Sequence, residues 1–236
     1  MFLREYNHLL HNDGDVMNKL FLLGDSTCAV KEDSARPETG WGEMFYPYLK
    51  DGWTLVNHAQ NGRSTEMILL EGIFYDCFWE SSEGDYVIIQ FGHNENKPEE
   101  YRRTDPDGKF VFNLRYMINN FRSRGVTVIL ISPISRRCFV NGKPQNTHFG
   151  YPEAMKRVAD EEDLIFIEMT QRTLRALDEM GEEESKKMFM NFPAGMYENY
   201  PEGKQDNTHL RPEGAMWIAS LIADGLKKYD LPFIKD

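Results

Sequence analysis

Five short apolar runs, separated by segments with helical hydrophobic spacing, constrain what this chain can fold into more than any other feature. They are KLFLL at 19–23, TLV at 54–56, YVIIQF at 86–91, VTVILI at 126–131 (stopped by Pro133) and LIFI at 164–167. Near-continuous apolar strands suit a sheet covered on both faces, where no side alternates out to water. Between them, Met67, Leu70, Ile73, Phe74 and Phe78 predict one helix over 64–79. Leu114, Met117, Ile118 and Phe121 predict another that stops near Gly125. Residues 153–160 and 170–180 read as helices, and Pro212 opens a closing helix that continues over 215–229. Strands alternating with helices predict the α/β class, a parallel sheet between two helical layers.

The 236 residues suffice for one such domain, and no Gly/Ser- or Pro-rich linker divides them. The expected organisation is a tail or extension at 1–16 and a single domain at 17–236. A formal charge of −11, from 27 basic and 38 acidic side chains, argues against nucleic acid or an anionic membrane as partner. No apolar stretch reaches the roughly 18 residues of a spanning helix. The N-terminal segment carries Glu5, Asp13 and Asp15, unlike the apolar core of a secretory signal. Cys28, Cys77 and Cys138 form no CxxC pair, which argues against a disulfide scaffold or a structural zinc site. These features together lead to the expectation of a reduced, cytoplasmic protein. GxGxxG, P-loop and HExxH sequences are missing, so no cofactor and no metal are expected. Nothing in the sequence specifies an oligomeric state.

In open α/β sheets, ligands bind beyond the carboxyl ends of the strands, so the residues after each strand carry the functional argument. The first run leads into Gly24-Asp25-Ser26-Thr27, the second toward Asn61-Gly62-Arg63-Ser64 and the third into Gly92-His93-Asn94-Glu95. Asp206-Asn207-Thr208-His209 precedes the last helix. Each cluster alone has a plain reading as turn chemistry. Jointly they supply the parts of a serine esterase. Ser26 is a nucleophile once a base takes its proton, His209 is suited to be that base, and Asp206 could hold the imidazole in one tautomer. A tight turn before Leu210 would let Asp206 and His209 face one point. The oxyanion formed on attack needs fixed donors, for which the candidates are the amides of Ser26 and Gly62 and the side chain of Asn94. Asp25, Arg63 and His93 are candidate substrate contacts, with bracing of their own loops the plainer reading of Asp25 and His93. A metal site from Asp25, His93, Asp206 and His209 lacks any supporting ligand spacing.

These four blocks resemble, in order and in residues, those of the SGNH hydrolases, and GDST, NGRST, FGHN and DNTH are most similar to the rhamnogalacturonan acetylesterases. Glu95 departs from that subgroup, which usually has Asp after the asparagine. The resemblance covers about residues 19–229. It implies a three-layer α/β/α fold with a five-stranded parallel sheet in flavodoxin-like order, and removal of O-acetyl groups from carbohydrate through an acyl-enzyme, without cofactor. The implied partner is a small acetylated oligosaccharide derived from pectin. The alternatives are a lipase- or thioesterase-type SGNH hydrolase, or a non-catalytic carbohydrate-binding protein on the same fold. Specificity must come from the loops at 96–110, 135–151 and 188–205, where Phe189, Phe192, Tyr197 and Tyr200 could stack on sugars or simply pack. Arg63, Arg136 and Arg137 are candidate partners for a substrate carboxylate.

Overall fold

The computed structural model describes residues 18–235. The tail expected at 1–16, with His8 and His11, lies outside them. The apolar runs become β1 (Asn18–Gly24), β2 (Trp53–Asn57), β3 (Tyr86–Gln90), β4 (Thr127–Ile131) and β5 (Ile165–Ile167). All four pairings are parallel, and the spatial order is β2-β1-β3-β4-β5, the flavodoxin-like arrangement. Two further strands, β6 (Phe189–Phe192) and β7 (Lys204–Leu210), form a separate antiparallel pair.

Side chains of β1 alternate between two cores, which is why every residue from Leu20 to Leu23 is apolar. Leu20 and Leu22 join Ile88, Ile129 and Ile131 beneath α5 (Met169–Met180) and the closing helix α7 (Pro212–Leu226). Phe21 and Leu23 join Val87, Ile89, Val128 and Leu130 on the opposite face. That face is covered by α1 (Thr65–Leu70), α2 (Ile73–Glu80), α3 (Lys109–Ser123) and α4 (Tyr151–Glu161). A short α6 (Glu182–Ser185) holds the acidic run that precedes β6. Each fully buried Leu, Ile or Phe is worth about 1.5–3 kcal/mol, so these two layers dominate the stability of the fold.

The helix expected over 64–79 is two helices. Gly72 has φ +82° and separates α1 from α2. Hydrophobic spacing carries through the break because Ile68, Ile73, Phe74 and Cys77 all bury against the same face. Residues 188–205, read as a loop, include the whole of β6 and the start of β7.

The chain leaves β1 outward to β2 and then returns to the other side of β1 as β3. Strands diverge at that switch point, so the loops after β1 and β3 open a crevice between them. Gly24 and Gln90 are register partners at the rim. Two glycines let the loops approach. A Cβ on Gly24 would lie 2.7 Å from the Gln90 carbonyl oxygen, and one on Gly92 (φ +141°) would lie 2.6 Å from a Pro133 ring carbon.

Candidate active site

Immediately after β1 the chain makes a turn held by Asp25. Its Oδ1 accepts from the Thr27 amide (2.9 Å) and hydroxyl (2.8 Å), and its Oδ2 faces His93 Nδ1 at 2.9 Å. His93 Nε2 lies 3.0 Å from the Ile134 carbonyl oxygen. Both ring nitrogens are therefore held by protein oxygens. Burial alone would raise the Asp25 carboxyl, but the charge and hydrogen bond of His93 and the two Thr27 bonds outweigh it and hold the group well below the ordinary carboxylate range. Asp25 is 0% exposed and His93 3%. Both are enclosed by protein, so the positions named as candidate substrate contacts offer almost no surface to a ligand. They join the loops after β1 and β3. Gln90 adds a further tie, donating to Thr27 Oγ1 (2.8 Å) while accepting from Trp41 Nε1 (3.0 Å).

With that turn fixed, Ser26 stands at the rim. Its Oγ lies 3.0 Å from His209 Nε2, and His209 Nδ1 lies 2.8 Å from Asp206 Oδ2. An Nδ1–H donating to the carboxylate leaves Nε2 free to accept the serine proton. The Asp206–His209 segment, where a tight turn was expected before Leu210, reaches Ser26 through an irregularity in β7. Phe189 pairs with Leu210 and Asn191 with Gln205, so two steps along β6 answer five along β7, and the excess arches out. Within the arch, Asp206 Oδ1 accepts from the amides of Thr208 (2.8 Å) and His209 (3.1 Å). Asn191 Nδ2 donates to the Asp206 carbonyl and to Asn207 Oδ1, both at 2.9 Å, pinning the arch from below. For Asp206, too, burial pushes the carboxyl up. The His209 hydrogen bond and charge, with the two amide bonds, override that and keep it ionised far into acid.

Gly62, with φ +77°, turns the chain after β2 in a conformation suited to glycine. Neither its amide nor that of Ser26 donates to another group among the described residues. Asn94 is 6% exposed and spends one side-chain hydrogen on the Arg63 carbonyl (3.0 Å), leaving the second for another acceptor. The three donors named from sequence are thus brought to the loops around Ser26. The Arg63 side chain is not brought there. Its Nε donates to Glu71 (2.8 Å) and its Nη1 to the Asn61 carbonyl (2.8 Å), so it turns to the surface and serves the site through its carbonyl.

Sequence reasoning passed over two neighbours. Lys31 is fully buried, and its Nζ donates to the Ser26 carbonyl and to Asn61 Oδ1, both at 2.5 Å, and pairs with Glu38 at 2.8 Å. It clamps the loop after β1 to the loop carrying Gly62. Glu95 is 0% exposed and accepts from the Thr65 amide (2.7 Å) at the start of α1. Burial pushes its carboxyl up to about 8, opposed by the Thr65 bonds and assisted by the nearby charge of Asp25. Lys31 carried no signal, since a lysine in a loop has no spacing to read. Glu95 was visible only as a departure from the subgroup pattern. His148 packs edge-on against His93, and His58 pairs with Glu80 at 3.2 Å. The four groups weighed as metal ligands separate into the pairs Asp25–His93 and Asp206–His209, and no group of three converging His, Cys, Asp or Glu side chains occurs among the described residues.

An alcohol, an imidazole and a carboxylate in line at the switch point of a 2-1-3-4-5 sheet are suited to acyl transfer, and the chain is a carboxylic ester hydrolase by family. The GDSL-like lipase/acylhydrolase family matches residues 22–216, and the chain belongs to it. The rhamnogalacturonan acetylesterase RhgT of Bacillus subtilis is 36% identical over 219 residues, covering 92% of this chain and 93% of that protein. A probable rhamnogalacturonan acetylesterase of the same organism, YesY, is 33% identical over 91% of this chain and 95% of its own. Among solved structures, the YXIM protein of Bacillus subtilis superposes with a TM-score of 0.78 at 22% identity. That match covers 89% of this chain and 56% of the other, so this chain spans little more than half of it. The acetylxylan esterase Axe2 of Geobacillus stearothermophilus superposes with a TM-score of 0.62 at 17% identity, covering 93% and 97% of the two chains. These structural likenesses show the fold. No helix among the described residues is long and apolar enough to cross a membrane.

Proposed function

We propose that this protein is a carbohydrate O-acetylesterase acting on acetylated oligosaccharides from rhamnogalacturonan through an acyl-enzyme on Ser26. The observation that carries the reading is the unbroken line Asp206–His209–Ser26, at 2.8 and 3.0 Å. His209 Nε2 takes the hydroxyl proton as Ser26 Oγ bonds to the acetyl carbonyl carbon. The carbonyl electron pair moves onto oxygen, which accepts from the Ser26 and Gly62 amides and from Asn94 Nδ2. The tetrahedral species collapses by breaking the bond to the sugar oxygen, which receives the proton from His209. Water, deprotonated by the same imidazole, then attacks the acetyl-Ser26 ester, and acetate leaves. Asp206, ionised throughout, orients the ring and offsets its transient charge.

Two curated relatives above 30% identity that cover over nine-tenths of the chain support the sugar assignment. The test is deacetylation of acetylated rhamnogalacturonan fragments, compared with acetylated xylo-oligosaccharides and with p-nitrophenyl esters of increasing chain length. The reading requires acetate release to be fastest from rhamnogalacturonan fragments and to be lost in Ser26→Ala. Faster turnover of the xylo-substrates refutes the pectin assignment, and preference for long acyl chains points to a lipase- or thioesterase-type enzyme.

A further inference from the structure

A chain with an excess of acidic side chains has little reason to leave a guanidinium unpaired beside its reaction centre, yet Arg102 is in that position. Arg102 belongs to the loop between β3 and α3. A methyl group built on Gly62 would lie 3.8 Å from Arg102 Nη2, 3.9 Å from Cζ and 4.0 Å from Nη1. The fork of the guanidinium therefore faces the glycine whose amide is a candidate oxyanion donor. Its Nε is buried without a hydrogen-bond partner, and the side chain forms no ion pair among the described residues. The ring of Tyr101 lies 5.5 Å from its Cζ.

Four other cations around the cleft are already spent. Arg63 is held by Glu71 and the Asn61 carbonyl. Arg136 donates to Thr147 Oγ1 and to the His93 carbonyl. Arg137 donates to Ser185, Asn207 and the Glu182 carbonyl. Lys31 is consumed by Ser26, Asn61 and Glu38. In the cavity of about 660 Å³ beside Asn207, Arg137 is committed as above, Lys186 is paired with Glu183 and the Lys204 Nζ lies over the Tyr200 ring, so no guanidinium fork is free there.

We infer that Arg102 is a specificity-determining residue whose Nη1 and Nη2 donate end-on to a carboxylate of the substrate, so that the enzyme prefers acetyl esters carried on or next to a uronic acid. This rests on the esterase reading above and names the chemistry that distinguishes its substrate. A planar fork matches a carboxylate in two parallel bonds, whereas a lysine offers one point charge. Arg63, Arg136 and Arg137, the candidates named from sequence for a substrate carboxylate, are side chains that the fold uses internally.

The experiment compares wild type, Arg102→Gln and Arg102→Lys on an acetylated, uronate-containing oligosaccharide and on p-nitrophenyl acetate. The expected result is that kcat/KM for the acidic substrate falls about tenfold or more relative to that for p-nitrophenyl acetate, mainly through KM, with Lys restoring only part of the loss. A second arm measures inhibition of p-nitrophenyl acetate hydrolysis by trigalacturonate and by neutral xylotriose. Inhibition by the acidic sugar, weakened by rising salt and lost in Arg102→Gln, supports the assignment even if pectin fragments prove not to be the substrate. Equal inhibition of wild type and Arg102→Gln overturns it, as does a parallel loss on both substrates.

Discussion

Asn94 commits one side-chain hydrogen to the Arg63 carbonyl, so only the second is free for a developing oxyanion. Asn94→Ala is therefore expected to keep the fold and lower turnover of p-nitrophenyl acetate about a hundredfold or more, and near-normal turnover would remove Asn94 from the chemistry. Lys31 makes a different demand. Replacing it by Met would leave Glu38, largely buried, without its partner and would release Ser26 from Asn61. Lys31→Met is expected to cost about 3 kcal/mol in urea unfolding and to lower kcat as well, because both oxyanion loops lose their clamp. Unchanged stability would show that the clamp is redundant. Ser26, Gly62, Asn94, Asp206 and His209 were legible because the chemistry restricts their types and each sits at a strand or helix end. Lys31 and Arg102 were not, because their partners are defined only in three dimensions. The roles of Asp25 and His93 needed burial, which a polar pair beside a nucleophile does not reveal.

Among the elements, the five central strands were readable because burial on both faces removes polar residues from them. Their ends moved by at most one residue, the ordinary play of strand boundaries. Helix periodicity failed at Gly72, since two helices packed on one core preserve the spacing through a left-handed residue. Gly72→Ala is expected to destabilise by about 1–2 kcal/mol through backbone strain alone, because a Cβ there meets no neighbour. A melting temperature at or above that of wild type would refute the strain argument. The β6–β7 pair escaped notice for the opposite reason. KQDNTHL has no period-two alternation, because the residues that arch out of the ladder are chosen for chemistry rather than for packing.

At the scale of the molecule, the switch between β1 and β3 gathers segments that are distant in sequence, and its charged groups tie function to stability. Glu95, whose carboxyl rises from an ordinary 4.5 to about 8, binds its proton more tightly folded than unfolded. Its contribution is full below pH 4.5, declines as pH rises and is gone above about 8. Asp25 and Asp206, held below their ordinary 3.8, act oppositely: their contribution is present above that value and lost in stronger acid. Glu95→Gln is therefore expected to flatten the fall in melting temperature between pH 5 and 8, and an unaltered slope would show that Glu95 does not titrate there. The relation on which all of this depends is the approach of His209 to Ser26. Labelling with a fluorophosphonate, followed by peptide mapping, reads it most directly. One equivalent on Ser26 in the wild type, with labelling slowed at least a hundredfold in His209→Ala, is the expected result. Label on another residue, or labelling of Ser26 that is indifferent to His209, would contradict it.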